Sequence, residues 1–237
     1  MVIAGKDIHN HLLPGVDDGF HDANESLEAI HRMAENGCRE LVFTPHLNPD
    51  VAPFVPESEL KKVYQSFSAT IPAEWGVKTS LAAEYMVVRD FEKRLEHPKS
   101  LLTYPDNSIL IEMSYYFRSE NLENTVFSLV MAGYKPILAH PERYGYMADS
   151  IRDFEHLHDM GCRFQLNLMS LGGVYGPASV YILTKLLKNG WYDFAATDLH
   201  TIGQLDRILD IKMDRHTRKA FEKCFPDFPE FNKEQTL

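Results

Sequence analysis

The stretch Asn24–His46, NESLEAIHRMAENGCRELVFTPH, holds the unit from which the fold is read. Apolar residues recur at helical spacing over Glu25–Asn36, with Asn24 placed as N-cap and Gly37 as a C-terminal stop. The run Glu40–His46 then turns apolar and β-branched, as a buried strand does, and ends on a histidine. Helix, stop, strand and strand-end histidine form one repeatable unit.

Working outward, the same alternation continues in both directions. Further strand runs are Ile3–His11, Val77–Glu84, Ser108–Ser114, Lys135–His140, Arg163–Asn167 and Trp191–Thr197. Helical stretches fall at Glu57–Ala69, Asp90–Glu96, Asn121–Ala132, Ser150–Met160 and Ala178–Asn189, and one closing helix is expected over Gln204–Phe221. Strands alternating with helices imply a parallel sheet, and no strand shows the polar alternation of a half-exposed antiparallel one. No glycine-rich nucleotide turn follows the first strand, so the expected α/β architecture is a distorted seven-stranded (βα)7 TIM-like barrel. It spans residues 1–237 as one domain. Asn48–Pro56 is a proline-rich loop at the expected barrel mouth, and the tail Phe225–Leu237 reads as irregular.

Composition narrows the function. A net charge of −10 disfavours nucleic acid as partner. Three scattered cysteines, Cys38, Cys162 and Cys224, form neither a zinc-type pair nor a disulfide framework, which points to a reducing cytoplasm. Met1–His11 reaches polar residues too soon for a signal peptide, and no apolar run approaches the ~20 residues of a membrane span.

Eleven histidines draw attention to the strand ends. His9 and His11 share one face of the first strand, and Asp198 and His200 repeat that spacing after the last. His46, Glu84, Glu112 and His140 lie at or near the ends of the strands between them, and Asp18 sits in the loop Pro14–Gly19. In a parallel barrel those ends converge on one mouth. Each residue alone has an ordinary reading: a hydrogen-bonded strand-end histidine, a helix-terminal charge, a turn aspartate. Together they are costly unless paired or metal-bound. Mixed nitrogen and oxygen donors suit Mn, Fe or Zn better than Ca. Nine donors suit two or three ions with a bridging carboxylate. Three divalent ions against four carboxylates leave a local charge of about +2, which favours a phosphate-like substrate.

Other residues carry weaker signals. Arg143, in His140–Tyr144, is placed either to reach a substrate phosphate or to form a surface salt bridge with Glu142 or another acid. Tyr115, Tyr116 and Phe117 are expected in core packing, with an aromatic wall for a substrate ring as the alternative. Gly172, Gly173 and Gly176 read as a surface turn, with a phosphate-cradling loop as the alternative. His21, His31, His97, His156, His158 and His216 read as surface or packing residues.

The segments Asp7–Gly19 (DIHNHLLPGVDDG), Thr44–His46 (TPH), Ala139–Tyr144 (AHPERY) and Thr197–His200 (TDLH) resemble the polymerase-and-histidinol-phosphatase superfamily. They look most like its bacterial manganese-dependent protein-tyrosine phosphatases of capsule and exopolysaccharide synthesis. The likeness covers nearly the whole chain. It implies three metal ions, Mn2+ foremost, with Fe, Zn, Co or Mg as alternatives. His9, His11, Glu84 and Asp198 would hold the first ion, Glu84, Glu112 and His140 the second, and Asp18, His46 and His200 the third. Arg143 would clamp the phosphate, and metal-bound hydroxide would be the nucleophile. Relatives of this type carry a second arginine five residues after the last motif histidine. Leu205 stands there in this chain, with Arg207 two residues on as a possible substrate contact.

The function so implied is phosphomonoester hydrolysis on a phosphotyrosine protein, the tail of a bacterial tyrosine autokinase by resemblance. Its competitors are a phosphatase of histidinol phosphate or another small molecule, a nuclease, which the acidic charge disfavours, and a non-catalytic metal-binding regulator.

Overall fold

The structure, a computed structural model, describes residues 5–48, 55–88, 91–96 and 101–226. Residues 49–54 of the proline-rich loop, His97, and residues 227–237 of the tail lie outside the described residues.

The opening unit folds as read, with one shift. Helix α1 spans Ala23–Glu35 and buries Ser26, Ala29, Ile30, Met33 and Ala34, one stripe at helical period. Its cap is Asp22, two residues before the expected Asn24. The Asp22 side chain accepts from the backbone N–H groups of Asn24 (2.8 Å) and Glu25 (3.0 Å), a contribution of about 1 kcal/mol. At the other end Cys38 N–H donates to Met33 O (3.0 Å) and Gly37 N–H to Ala34 O (3.2 Å), a Schellman pair. It requires the left-handed φ of +102° that Gly37 adopts.

All seven expected runs contain strand, but two are broken, giving nine short strands in two parallel sheets among the described residues. One sheet has the order β1 (Lys6–Asp7), β2 (Glu40–Phe43), β4 (Lys78–Leu81). The other runs β3 (His46–Leu47), β5 (Glu84–Met86), β6 (Ser108–Glu112), β7 (Lys135–Ala139), β8 (Arg163–Asn167), β9 (Tyr192–Ala196). The break between β2 and β3 falls at Pro45, which has no N–H for the ladder. The register carries through it: Phe43 pairs with Leu81 and His46 with Glu84, and Glu84 N–H donates to Pro45 O at 3.1 Å. The segments beyond β1 and β9 meet at an isolated parallel bridge between Asn10 and Leu199.

Both faces of β6 are buried, and nearly all of β2, β7 and β8, as their apolar runs require, whereas β4 is only partly covered. Ile8, Val42, Ala82, Leu110, Ile137, Ala139 and Ala196 form a small cluster with Tyr104. Their strand neighbours, among them Leu41, Phe43, Ile109, Ile111 and Leu138, join the larger core that includes buried residues of the helices. Those helices are α1, α2 (Glu57–Ser68), α3 (Leu122–Met131), α4 (Ile151–Asp159) and α5 (Pro177–Asn189). The expected single closing helix is two, α6 (Ile202–Leu209) and α7 (Arg215–Cys224). Asp214 starts the second by accepting from His216 N–H (2.8 Å) and Thr217 N–H (3.1 Å). Among the described residues no helix is long and apolar enough to cross a membrane.

Candidate metal centre

The nine expected donors come together in one cluster. His9 and His11 lie on the extended segment after β1. Backbone bonds from Asp198 N–H to His9 O (2.8 Å) and from His11 N–H to Leu199 O (2.9 Å) fix that segment against the Asp198–His200 segment. Because of the break at Pro45, His46 and Glu84 begin β3 and β5 rather than ending the strands before them. Glu112 ends β6, and His140 follows β7. His140 and Asp198 adopt left-handed backbone, with φ of +33° and +50°. Such strain in non-glycine residues costs about 1–3 kcal/mol and gathers at functional sites.

Three groups of donor atoms are compact enough to hold an ion: His9, His11, Glu84 and Asp198; His46, Glu84 and Glu112; and His11, Asp18, His46 and His200. The first and third contain the expected sets, with His11 added to the third. The second pairs Glu84 and Glu112 with His46 in place of His140. Glu112 Oε1 and Glu84 Oε2 each lie 3.1 Å from His46 Nδ1, whereas His140 Nε2 lies 3.2 Å from Glu84 Oε1. Asp18 is the outermost donor, its side chain 53% exposed, with Oδ1 3.5 Å from His46 Nε2 and 3.7 Å from His200 Nε2.

The first group is the most informative. His9 Nδ1 lies 2.8 Å from Gln165 Oε1, and His11 Nδ1 lies 2.8 Å from Asp17 Oδ2. Both Nδ1 atoms therefore carry hydrogen, and in the neutral rings both Nε2 atoms are bare lone pairs. Those lone pairs face each other at 3.2 Å and lie 3.2–3.4 Å from Glu84 Oε2 and 3.3 Å from Asp198 Oδ1. Four acceptors in contact require protons or a metal cation among them. Donors about 2.1 Å from a common centre would lie roughly 3.0–3.4 Å apart. The buried atoms Glu84 Oε2, Glu112 Oε1, His46 Nδ1 and His140 Nδ1 also have no hydrogen-bond partner, so the residues present fit divalent ions.

Protonation follows the same crowding. Burial lowers the His46 imidazole, but Glu84 and Glu112 outweigh it and push the ring up to about 9. His9 and His11 are likewise raised against their burial, His9 by Glu84 and Asp198 and His11 chiefly by Asp17. Burial, reinforced by His11, brings His200 down to about 4. Burial opposes ionisation of Glu84, but His9 and His46 hold it well below the carboxylate range. Burial and the neighbouring Glu84 raise Glu112.

Arg143 pairs with Asp198, not with Glu142: its Nη1 donates to Asp198 Oδ2 at 2.8 Å. Asp198 thus gives Oδ1 to the histidine pair and Oδ2 to Arg143 and to Asn167 Nδ2 (2.8 Å). Glu142 is fully buried on the far side of the turn. It accepts from Asn167 N–H (2.9 Å), Ser170 Oγ (2.7 Å) and Tyr192 OH (2.8 Å). The aromatic run is not core: Tyr115 is partly covered, while Tyr116 and Phe117 are 91% and 67% exposed. Leu205 is buried, and Arg207 is exposed on α6. Gly173 and Gly176 adopt left-handed turn conformations. Of the remaining histidines, His31 packs on Trp75 and His158 on Phe164.

Four residues around the donors were not singled out from sequence. Asp17 lies beside Asp18 but points inward, and besides His11 it accepts from the backbone N–H groups of Gly19 and His46, both at 3.0 Å. Burial opposes it, yet His11 holds its carboxyl at about 2. Gln165 and Asn167 stand two apart on β8, the i, i+2 spacing that marks His9 and His11. Asp7 accepts from Thr197 and Asn10, tying both histidine motifs together. Asp17→Asn is expected to free the His11 tautomer and weaken metal uptake about 10–100-fold. A metal titration with a competing chelator measures this, and unchanged affinity would exclude the role.

Tyrosine-protein phosphatase YwqE of Bacillus subtilis is 27% identical over 196 residues, covering 83% of this chain and 77% of that protein. Tyrosine-protein phosphatase CpsB of Streptococcus pneumoniae is 25% identical, covering 94% of this chain and 96% of that one. A crystal structure from work on YwqE and CpsB, described as unique metal-dependent tyrosine phosphatases, matches with a TM-score of 0.77 at 26% identity, over 94% of this chain and 87% of that chain. The family described as capsular polysaccharide synthesis, CpsB/CapC, matches residues 5–226, and the chain belongs to it.

Proposed function

We propose that the chain is a metal-dependent protein-tyrosine phosphatase acting on a phosphotyrosine protein in capsule or exopolysaccharide regulation. The observation that carries this is the pair of His9 and His11 Nε2 atoms, facing each other and two carboxylates in a fully buried site. His9, His11, Glu84 and Asp198 would hold one ion. Glu84 and Glu112, with His46 or His140, would hold a second, and Asp18, His46 and His200 a third. Mn2+ is the ion assigned, although such donors also accept Fe, Zn, Co or Mg. When bound, the ions supply Lewis acidity, activating water and neutralising phosphoryl charge.

The chain's own groups do the rest. Asp17 and Gln165 hold the tautomers of His11 and His9. Asp198 Oδ2 holds Arg143, whose remaining edge N–H groups are left for phosphate oxygens. A cysteine nucleophile is disfavoured, since burial pushes the Cys38 and Cys162 thiols up to about 12. The half-exposed Asp18 and the exposed Tyr116 and Phe117 leave a mouth that suits a peptide better than an enclosed metabolite. The partner assigned from the family resemblance is the tyrosine-rich tail of a bacterial tyrosine kinase, and the compartment is the cytoplasm. The same reading takes the two sheets as one distorted seven-stranded barrel, supported by the continuous register past Pro45 and the Asn10–Leu199 bridge.

Phosphate release from a phosphotyrosine peptide, a phosphoserine peptide and histidinol phosphate, with and without Mn2+ and a chelator, tests the proposal. Mn2+-dependent turnover of phosphotyrosine alone is expected, falling about 100-fold in Arg143→Ala. Preference for histidinol phosphate would overturn the substrate, and no turnover of any ester would overturn the activity.

Metal uptake should also release protons. With His46 raised to about 9 and His9 and His11 raised, the metal-free site holds protons at neutral pH. The ions must displace them, so affinity should rise with pH up to about 9. The slope should be about tenfold per pH unit for each proton displaced. Calorimetry at pH 7 in buffers of different ionisation enthalpy reads this directly, and heats independent of buffer would contradict it.

A further inference from the structure

We propose that Tyr115 and Tyr175 are positioning residues that set the Arg143 guanidinium for its substrate contact, clamping it from both faces. The guanidinium carbon lies 4.2 Å from the Tyr115 ring centroid and 4.4 Å from that of Tyr175. Both faces of the planar cation are therefore covered, each by an attractive ring. What remains available is the edge. One edge donor, Nη1, is committed to Asp198 Oδ2, and the other N–H groups find no protein acceptor among the described residues. With faces and one corner fixed, the free edge can point in only one plane.

The two rings come from separate parts of the chain, and each is anchored to the donor cluster. Tyr115 follows β6, which ends in Glu112. Its hydroxyl lies 3.3 Å from His140 Nε2, and its ring stacks on buried Tyr144 at 6.2 Å. Tyr175 sits between β8 and α5, and its hydroxyl accepts from Asn167 Nδ2 at 3.4 Å. The same Asn167 amide nitrogen donates to Asp198 Oδ2. One ring of the clamp and the carboxylate that the arginine pairs with are thus held by the same residue. Tyr115 is also 39% exposed, so the clamp reaches the mouth. A substrate phosphate meeting the edge of Arg143 would meet a donor array already oriented, with little rotamer freedom left to lose. The assignment rests on the reading of Arg143 as the phosphate-facing group.

The test uses the full Mn2+-loaded chain and inorganic phosphate as the probe, by calorimetry. Tyr115→Leu and Tyr175→Leu should each weaken phosphate binding about tenfold, while Tyr115→Phe and Tyr175→Phe, which keep the ring, should restore it to within about threefold. Because the rings act through the guanidinium, Tyr175→Leu in an Arg143→Lys background should cost less than about twofold more. Metal content and melting temperature are measured for every variant, since Tyr115 also touches His140. Equal phosphate binding in the Leu and Phe variants, full additivity with Arg143→Lys, or no phosphate binding by the unsubstituted chain would each overturn the clamp. Phosphate release from a phosphotyrosine peptide is measured in parallel. Should no ester be hydrolysed while phosphate binding follows the ring pattern, the phosphatase reading falls and the clamp stands.

Discussion

Glu84→Gln is expected to abolish Mn2+-dependent phosphate release, by at least about a thousandfold, and to lower the metal content of the purified protein. Its two oxygens lie against four of the histidine donors. Its Oε1 lies 3.2 Å from His140 Nε2, and its Oε2 lies 3.1 Å from His46, 3.2 Å from His9 and 3.4 Å from His11. It belongs to two of the three donor groups. Glutamine keeps the shape and one acceptor oxygen but replaces the other with an NH2, which cannot ligate a metal and brings no negative charge. Loss of that charge also removes a chief cause of the raised His9 and His46 rings. The variant should therefore release fewer protons on adding Mn2+ than the unsubstituted chain. Metal content and turnover within tenfold of the original would remove Glu84 from the centre.

The strand-end histidines were legible because chain chemistry and periodicity agree. An acid or histidine closing an apolar run is conspicuous, and two at i, i+2 must share a face. The supporting groups were less visible for particular reasons. Asp17 and Asp18 are adjacent in a loop without period, so nothing in the sequence says which faces inward. Gln165 and Asn167 do carry the i, i+2 signal, but as neutral amides they bring no charge to a reading built on charges. The left-handed backbone of His140 and Asp198 cannot be read from residue type, since neither is glycine.

Boundaries slipped where local hydrogen bonding beats periodicity. Asp22 is a better acceptor for the first turn of α1 than Asn24, whose own N–H is one of the groups being capped. Asp214, capping His216 and Thr217, starts a new helix inside a stretch whose apolar spacing reads as continuous. At Pro45 the missing donor was visible in the sequence, although its effect is only local, because the pairing resumes in the same register.

Glu142→Ala should produce the largest loss of stability, although Glu142 touches none of the nine donors. Its carboxylate is the shared acceptor for three donors, Asn167 N–H, Ser170 Oγ and Tyr192 OH, in a site closed to water. Alanine leaves all three without that acceptor and opens a cavity, a cost of about 3–5 kcal/mol. For a chain of this size that corresponds to a fall in melting temperature of about 6–20 °C. Glu142→Gln keeps one acceptor oxygen and should fall between. The two also differ in pH dependence. Burial raises the Glu142 carboxyl above its ordinary value of 4.5, so between that value and the raised one the folded chain keeps a proton the unfolded chain has lost. Stability from this group then declines as pH rises, whereas glutamine does not titrate. The advantage of glutamate over glutamine should therefore shrink as pH rises above about 4.5. Glu142 occupies the turn Pro141–Arg143, with His140 just before it, and through Asn167 it also braces Asp198. The alanine variant should consequently lose turnover below its melting point as well. Melting curves from pH 5 to 8, with turnover at 20 °C below the transition, would show whether one buried carboxylate supports both; a fall of less than 3 °C would show that it supports neither.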